Sequence, residues 1–278
     1  MGAIDFRFRP VGTQSITREL TWEYLRKMRL DPAPSFEQQD INLMFQEMDE
    51  AGIDLGVIGV PAPTDKPGFV SSANETIAEM VQRYPDRFVG FGCLDTSDPD
   101  AALEEIDHVL ELGFVGITLE PSTARVSRRV DDRALYPIYE AAQERGLLVL
   151  TVMSCLLGPY LDDCHPESLD HVATDFPDLT LIVQHGAWPY SREAVGLAYK
   201  QPNVYIVPGQ YVHYEFPGSE DYVKAANRQL SDQMLFGSVY PNCGPLSEVM
   251  SIVDELGFVS EEVKQKYLHV NARRLLGL

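Results

Sequence analysis

The chain has 278 residues, 45% hydrophobic and 23% charged, the profile of a soluble globular unit about the size of one eight-stranded barrel. Lys and Arg number 22 against 42 Asp and Glu, a formal charge of -20. Such a field repels phosphate backbones and anionic membranes, so neither is an expected partner. Cys93, Cys155, Cys164 and Cys243 fit no paired or zinc-ribbon spacing, and no apolar run approaches the ~20 residues of a membrane span. With no signal-peptide pattern at the start, the expectation is a cytoplasmic protein in a reducing compartment.

Taken in chain order, the first strand is expected over 3–8. An insertion over 11–34 follows, with a helix over 17–30 inside it. In a barrel such a loop lies at the mouth, where it serves as a lid or pocket wall or is a solvated excursion. Ser35 with Gln38 three positions on resembles a capping box. Strands are then expected over 55–60, 88–94, 115–119, 147–153, 179–184, 204–207 and 234–238. Several are unbroken runs of Val, Ile and Leu, as in strands buried on both faces. Helices are expected between them over 74–83, 101–112, 134–145, 166–175 and 247–256. Gly52, Gly113, Gly146 and Gly257 fall just past helix ends, where a positive φ is wanted. Eight strand–helix alternations imply a parallel sheet with helices outside. The fold class is α/β, a (β/α)8 TIM barrel forming one domain over 1–278.

Six segments carry a resemblance: 74–95 (NETIAEMVQRYPDRFVGFGCLD), 112–121 (LGFVGITLEP), 136–149 (YPIYEAAQERGLLV), 176–189 (FPDLTLIVQHGAWP), 234–241 (MLFGSVYP) and 270–278 (VNARRLLGL). They resemble, in the same order, the amidohydrolase-related family that includes aminocarboxymuconate-semialdehyde decarboxylase and the resorcylate decarboxylases. The resemblance implies a TIM barrel and a divalent metal in its mouth. In that family the metal is held by the two histidines of an Asp-x-His-x-His motif on the first strand, a His ending the fifth, a His ending the sixth and an Asp ending the eighth. The first strand here reads Asp5-Phe6-Arg7-Phe8-Arg9, with arginines where both histidines belong. Val152 falls at the fifth-strand position and Val239 at the eighth, leaving His185 as the one position that matches. Arginine stays protonated and offers no acceptor, so this pattern predicts no metal and no other cofactor.

What remains suggests another chemistry. Arg7 and Arg9, two apart, are expected to project together into the mouth and to hold a carboxylate or a developing oxyanion; the alternative is a structural ion pair with Asp5 or Glu120. His185, between a strand and Gly186, is the acid/base candidate, with a satisfied structural histidine as the alternative. Glu120 is either a base or a counter-charge to an arginine. Tyr240 and Asn242 after the eighth strand, Tyr211 and His213 after the seventh, and Trp188 are candidate substrate-binding residues. Cys155 is expected to be an inert thiol unless a base or cation lies beside it, and Ser154 lacks a nucleophile elbow.

The leading expectation is a metal-independent enzyme acting on a small carboxylated substrate. Lactone-type hydrolysis, a lyase or decarboxylase reaction and an isomerase reaction all suit it. A catalytically inactive barrel that binds an anionic metabolite is the alternative. A third reading keeps a metal on His185, Glu120 and His213. A homo-oligomer is compatible with the sequence.

Overall fold

The computed structural model describes every residue except Gln14 and Pro63. β1 (Ala3–Asp5) leads through α1 (Arg18–Met28), α2 (Pro34–Gln38) and α3 (Ile41–Glu50) into β2 (Ile53–Ile58), and α4 (Asn74–Arg83) follows. β3 (Phe88–Gly90) and β4 (Gly92–Cys93) form one stave interrupted at Phe91, and α5 (Pro99–Glu111) follows it. Next come β5 (Gly116–Leu119), α6 (Tyr136–Glu144), β6 (Leu148–Val152), α7 (Pro166–Asp175), β7 (Leu181–Gln184) and α8 (Ser191–Lys200). After β8 (Val204–Val207) the chain passes through α9 (Gln210–His213), α10 (Glu220–Ala226), α11 (Leu246–Glu255), α12 (Glu261–Gln265) and α13 (Asn271–Leu276).

All pairings of the named strands are parallel, in the orders β1-β2-β3 and β4-β5-β6-β7-β8. The two sheets join where Phe91 donates its N–H to Ile58 O at 2.9 Å. The other seam is closed by residues 233–240, expected as a regular strand over 234–238 but not one. The segment borrows bonds from both sides. Leu235 N–H reaches Ile206 O at 2.9 Å, Phe6 N–H reaches Phe236 O at 2.9 Å, and Arg9 N–H reaches Tyr240 O at 3.1 Å. Its side chains are buried from Met234 on, yet Val239 has a φ of 71°, which breaks the extended ladder. The result is a closed TIM barrel whose functional end is the mouth at the carboxyl ends of the strands.

The helices form for reasons visible in the sequence. Thr17 caps α1, Asp40 caps α3 and Asp98 caps α5, each side chain accepting backbone N–H groups of the first turn. Gly52, Gly113, Gly146 and Gly257 lie at φ between 66° and 82°, the left-handed region that ends helices. Ser35 does not form the expected capping box. It lies inside α2, whose N-cap is Ala33, and its hydroxyl bonds Glu47 and Tyr240 Oη instead. A buried hydroxyl tied to two tertiary partners is unavailable to its own helix.

Two apolar layers pack the domain. The larger lies between helices and sheet, and a smaller one fills the barrel interior with Ile4, Phe6, Val57, Phe91, Leu150, Ile182, Val207 and Leu235. This inner layer plugs the barrel beneath the mouth. β1 ends at Asp5, where the carboxylate accepts the N–H groups of Arg7 at 2.9 Å and Ser238 at 3.0 Å. The inside–outside alternation slips there. Phe6 stays in the plug and Arg7 lines the mouth, whereas Phe8 turns outward to stack on Tyr240 at 4.8 Å.

Candidate active site

A cavity of about 500 Å³ occupies the mouth. Its floor carries Arg7, Arg9, Glu120 and His185, and its walls include Ser154, Cys155, Trp188, Gln210, Tyr211, Val239 and Asn242. α1 forms part of the wall through Leu20, Glu23, Tyr24, Lys27 and Met28. The 11–34 segment is strapped across the mouth: Thr17 N–H bonds Gly68 O at 2.7 Å, Val70 N–H bonds Ser15 O at 3.0 Å, and Ile16 pairs antiparallel with Phe69. Lys66, on the loop after β2 to which this segment is bonded, reaches the loop after β6 by donating to Leu156 O and Leu157 O.

Arg7 and Arg9 are 6% and 7% exposed. Among the described residues no carboxylate lies within ion-pair distance of either guanidinium, so the structural pairing with Asp5 or Glu120 is not formed. Their partners are neutral. Arg7 Nη1 donates to Gln184 Oε1, and Arg9 Nε donates to Gly59 O at 3.1 Å. Arg7 Nε has no partner. Burial, and then the charge of Arg9, drives the Arg7 pKa well down; burial lowers that of Arg9 to about 10 against the opposing pull of Glu120. These are the signs of cations held out of water without full compensation.

Glu120 follows β5, is 4% exposed, and has its pKa raised by burial against the opposing pull of Arg9 and Arg7. Two guanidiniums against one carboxylate leave the floor with one net positive charge when all three are ionised.

His185 follows β7 in an unusual turn: His185, Gly186 and Ala187 have φ of 66°, 59° and 60°. Such conformations are costly for residues with a Cβ and persist where packing over-determines them. Here Tyr222 Oη donates to Gly186 O at 2.8 Å, and a Cβ on Gly186 would meet that hydroxyl at 2.8 Å. The imidazole is 6% exposed, and its Nδ1 has no partner. Burial, then Arg7 and Arg9, pushes its pKa well below the usual value. Burial beside two guanidiniums favours the neutral ring and weakens it as a base until an anion offsets their charge.

The remaining expected residues divide. Tyr211, Trp188 and Asn242 line the cavity. The Trp188 and Tyr211 rings stack at 4.8 Å, with the Phe216 edge against both. Tyr211 Oη bonds Ser154 Oγ at 2.8 Å, and the Cys155 thiol sits 4.0 Å from the same hydroxyl. Burial raises the Cys155 pKa, which disfavours a thiolate. Asn242 Oδ1 and Gln210 Oε1 are buried without partners.

Tyr240 and His213 are not in this cavity. The left-handed Val239 takes the cavity position, and Tyr240 turns away to stack on Phe8 and bond Ser35. His213, the last residue of α9, packs against Phe236, with Nε2 3.4 Å from Tyr267 Oη, and burial lowers its pKa to about 3. His213 therefore does not stand beside His185 and Glu120, as the third reading requires. Sequence reasoning missed Gln184, Tyr24, Lys66 and Gln210. Only Gln184, a polar residue ending an apolar strand beside His185, left a signal there.

The donor set does not fit the family's divalent metal. Of the five positions at which the resemblance places ligands, Arg7, Arg9, Val152 and Val239 carry nothing that can bind a cation. Among the described residues no three His, Cys, Asp or Glu side chains converge on one point. No helix among them is long and apolar enough to cross a membrane.

A closed parallel barrel with a deep pocket at its mouth defines a TIM-barrel protein. The sequence profile of the family described as Amidohydrolase matches residues 18–278, and the chain belongs to that family. Among curated relatives, 2-amino-3-carboxymuconate-6-semialdehyde decarboxylase of Dictyostelium discoideum is 24% identical, over 86% of this chain and 77% of that protein. Gamma-resorcylate decarboxylase of Rhodococcus jostii is 36% identical over a shorter stretch, 34% of this chain and 29% of that protein. Among solved structures, an uncharacterized TIM-barrel protein from Bordetella bronchiseptica superposes with a TM-score of 0.93 at 35% identity, covering 100% of this chain and 99% of that one. 2,6-Dihydroxybenzoate decarboxylase in complex with 2,6-dihydroxybenzoate shares the fold, with a TM-score of 0.72 at 18% identity over 100% of each chain.

Proposed function

We propose that this protein is an enzyme of the amidohydrolase superfamily that acts without a metal on a small carboxylated substrate bearing a ring. The observation that carries this reading is the pair of buried guanidiniums lacking any carboxylate partner at the base of a cavity that also holds a neutral imidazole. An unpaired buried cation is costly, and a ligand carboxylate or oxyanion relieves that cost through charge-assisted bonds. Above it, Trp188, Tyr211, Phe216, Leu20, Phe69 and Leu157 supply apolar surface for a ring.

In lactone-type hydrolysis His185 takes a proton from water as the water oxygen bonds to the lactone carbonyl carbon. The arginines stabilise the oxyanion that forms. The ring C–O bond then breaks, and the departing oxygen receives the proton from His185. Glu120 balances part of the guanidinium charge throughout. Decarboxylation is a second reading, favoured by the activities named for the relatives in Dictyostelium and Rhodococcus. Arginines that grip a carboxylate stabilise it in the ground state, so in that reading they hold a different acidic group of the substrate.

The test is elemental analysis of protein purified without chelator, with turnover on lactones and carboxylated aromatics before and after chelation. Expected are less than stoichiometric metal and turnover that survives chelation and falls about 100-fold or more in His185→Asn. One metal per chain with activity lost on chelation overturns the proposal. Tight carboxylate binding without turnover on any substrate leaves a binding protein instead.

A further inference from the structure

Among the described residues, Gln184 is the one side chain hydrogen-bonded to a floor guanidinium, and it lies outside the cavity. It ends β7, is 1% exposed, and spans two elements: Oε1 accepts from Arg7 Nη1, while Nε2 donates to Phe6 O at 2.9 Å. These two bonds fix the amide orientation, because a flipped amide would set its NH2 against the guanidinium and its oxygen against a carbonyl. The amide thus ties Arg7 to the first stave's own backbone.

A carboxylate at this position would satisfy the same N–H and cancel the charge of Arg7. An amide satisfies the N–H and cancels nothing. Arg9 is held in the same manner by the backbone carbonyl of Gly59. Glu120 is the carboxylate sharing the floor, and it stays outside ion-pair distance of both guanidiniums.

We propose that Gln184 is a positioning residue that aims the Arg7 guanidinium at the cavity while leaving its positive charge to the substrate, and so sets the preference for anionic over neutral ligands. This rests on the reading of the arginine floor as a carboxylate site. It predicts a particular pattern among variants. Gln184→Glu keeps an acceptor for Arg7 but supplies the anion that the ligand would otherwise supply. Gln184→Leu keeps the charge of Arg7 but removes its anchor.

The experiment is calorimetric titration of wild-type protein and both variants with benzoate and with benzamide, which is similar in shape and uncharged. Wild type is expected to prefer benzoate. Gln184→Glu should lose benzoate affinity at least about 10-fold with benzamide affinity unchanged, and Gln184→Leu should lose benzoate affinity by a smaller factor, also selectively. Equal losses for both ligands would reduce Gln184 to a structural residue and overturn the inference, as would wild-type selectivity in Gln184→Glu. Should Gln184→Glu not fold, Gln184→Leu decides alone: selective loss of benzoate supports the role, and an equal or absent loss overturns it. Wild-type binding of benzoate that depends on Arg7 but not on Gln184 leaves the carboxylate site standing and removes only this inference. No benzoate binding by wild type removes both.

Discussion

Phe6 and Arg7 are joined by one peptide bond and belong to opposite parts of the molecule. Phe6 is fully buried in the apolar plug, edge-on to Phe91 at 6.4 Å, and its burial among apolar side chains stabilises the fold. Arg7, equally withdrawn from water, has one neutral side-chain partner and an unpartnered Nε. Its burial raises the free energy of the empty protein. The plug below is built for stability, and the floor above is built at stability's expense, the expected trade where a pocket is pre-organised for charge.

Three substitutions break or sharpen that contrast. Phe6→Ala has the largest expected effect, a loss of about 3–5 kcal/mol of unfolding free energy in denaturant titration, because a large side chain leaves a cavity in close-packed surroundings. Ligand affinity of the folded fraction should stay within a few-fold of wild type; a selective loss of affinity would mean that the plug and floor are coupled. Arg7→Met should do the reverse. Carboxylate affinity or kcat/KM is expected to fall on the order of 100-fold, while unfolding free energy stays within about 1 kcal/mol of wild type, since the desolvation cost of the charge disappears with the charge. A strongly destabilised Arg7→Met with undiminished affinity would show the guanidinium to be structural. The smallest effect is expected from Tyr240→Phe. Its hydroxyl reaches Ser35 rather than the cavity, so about 1 kcal/mol of stability should be lost and turnover kept. A turnover defect there would return Tyr240 to the site.

The contrast also sorts what the sequence discloses from what it hides. Local rules served well. The helix over 74–83 coincides with α4, that over 166–175 coincides with α7, and the four helix-ending glycines lie where their positive φ is needed. The same holds for the barrel, whose buried strands appear as apolar runs and whose family is recognisable in six segments. What failed depends on a single torsion or a distant partner. Tyr240 follows the last stave as a pocket residue should, but the left-handed Val239 before it turns the ring outward. His213 was placed by the same reasoning and faces Tyr267, a residue 54 positions away. Ser35 carries the spacing of a helix cap, and its hydroxyl is claimed by Glu47 and by Tyr240, 205 positions away. Gln184 becomes meaningful only once Arg7 lies beside it, 177 positions away in the chain.

The sunken position of the arginines has a kinetic consequence. An anion approaching from solvent meets the field of a chain with formal charge -20, yet it comes to rest against guanidiniums that are almost wholly out of water. Mobile ions screen the first interaction over about 8 Å at physiological ionic strength and reach the second poorly. Added salt should therefore hasten arrival and scarcely alter departure, the opposite of what salt does to an anion captured by an exposed basic patch.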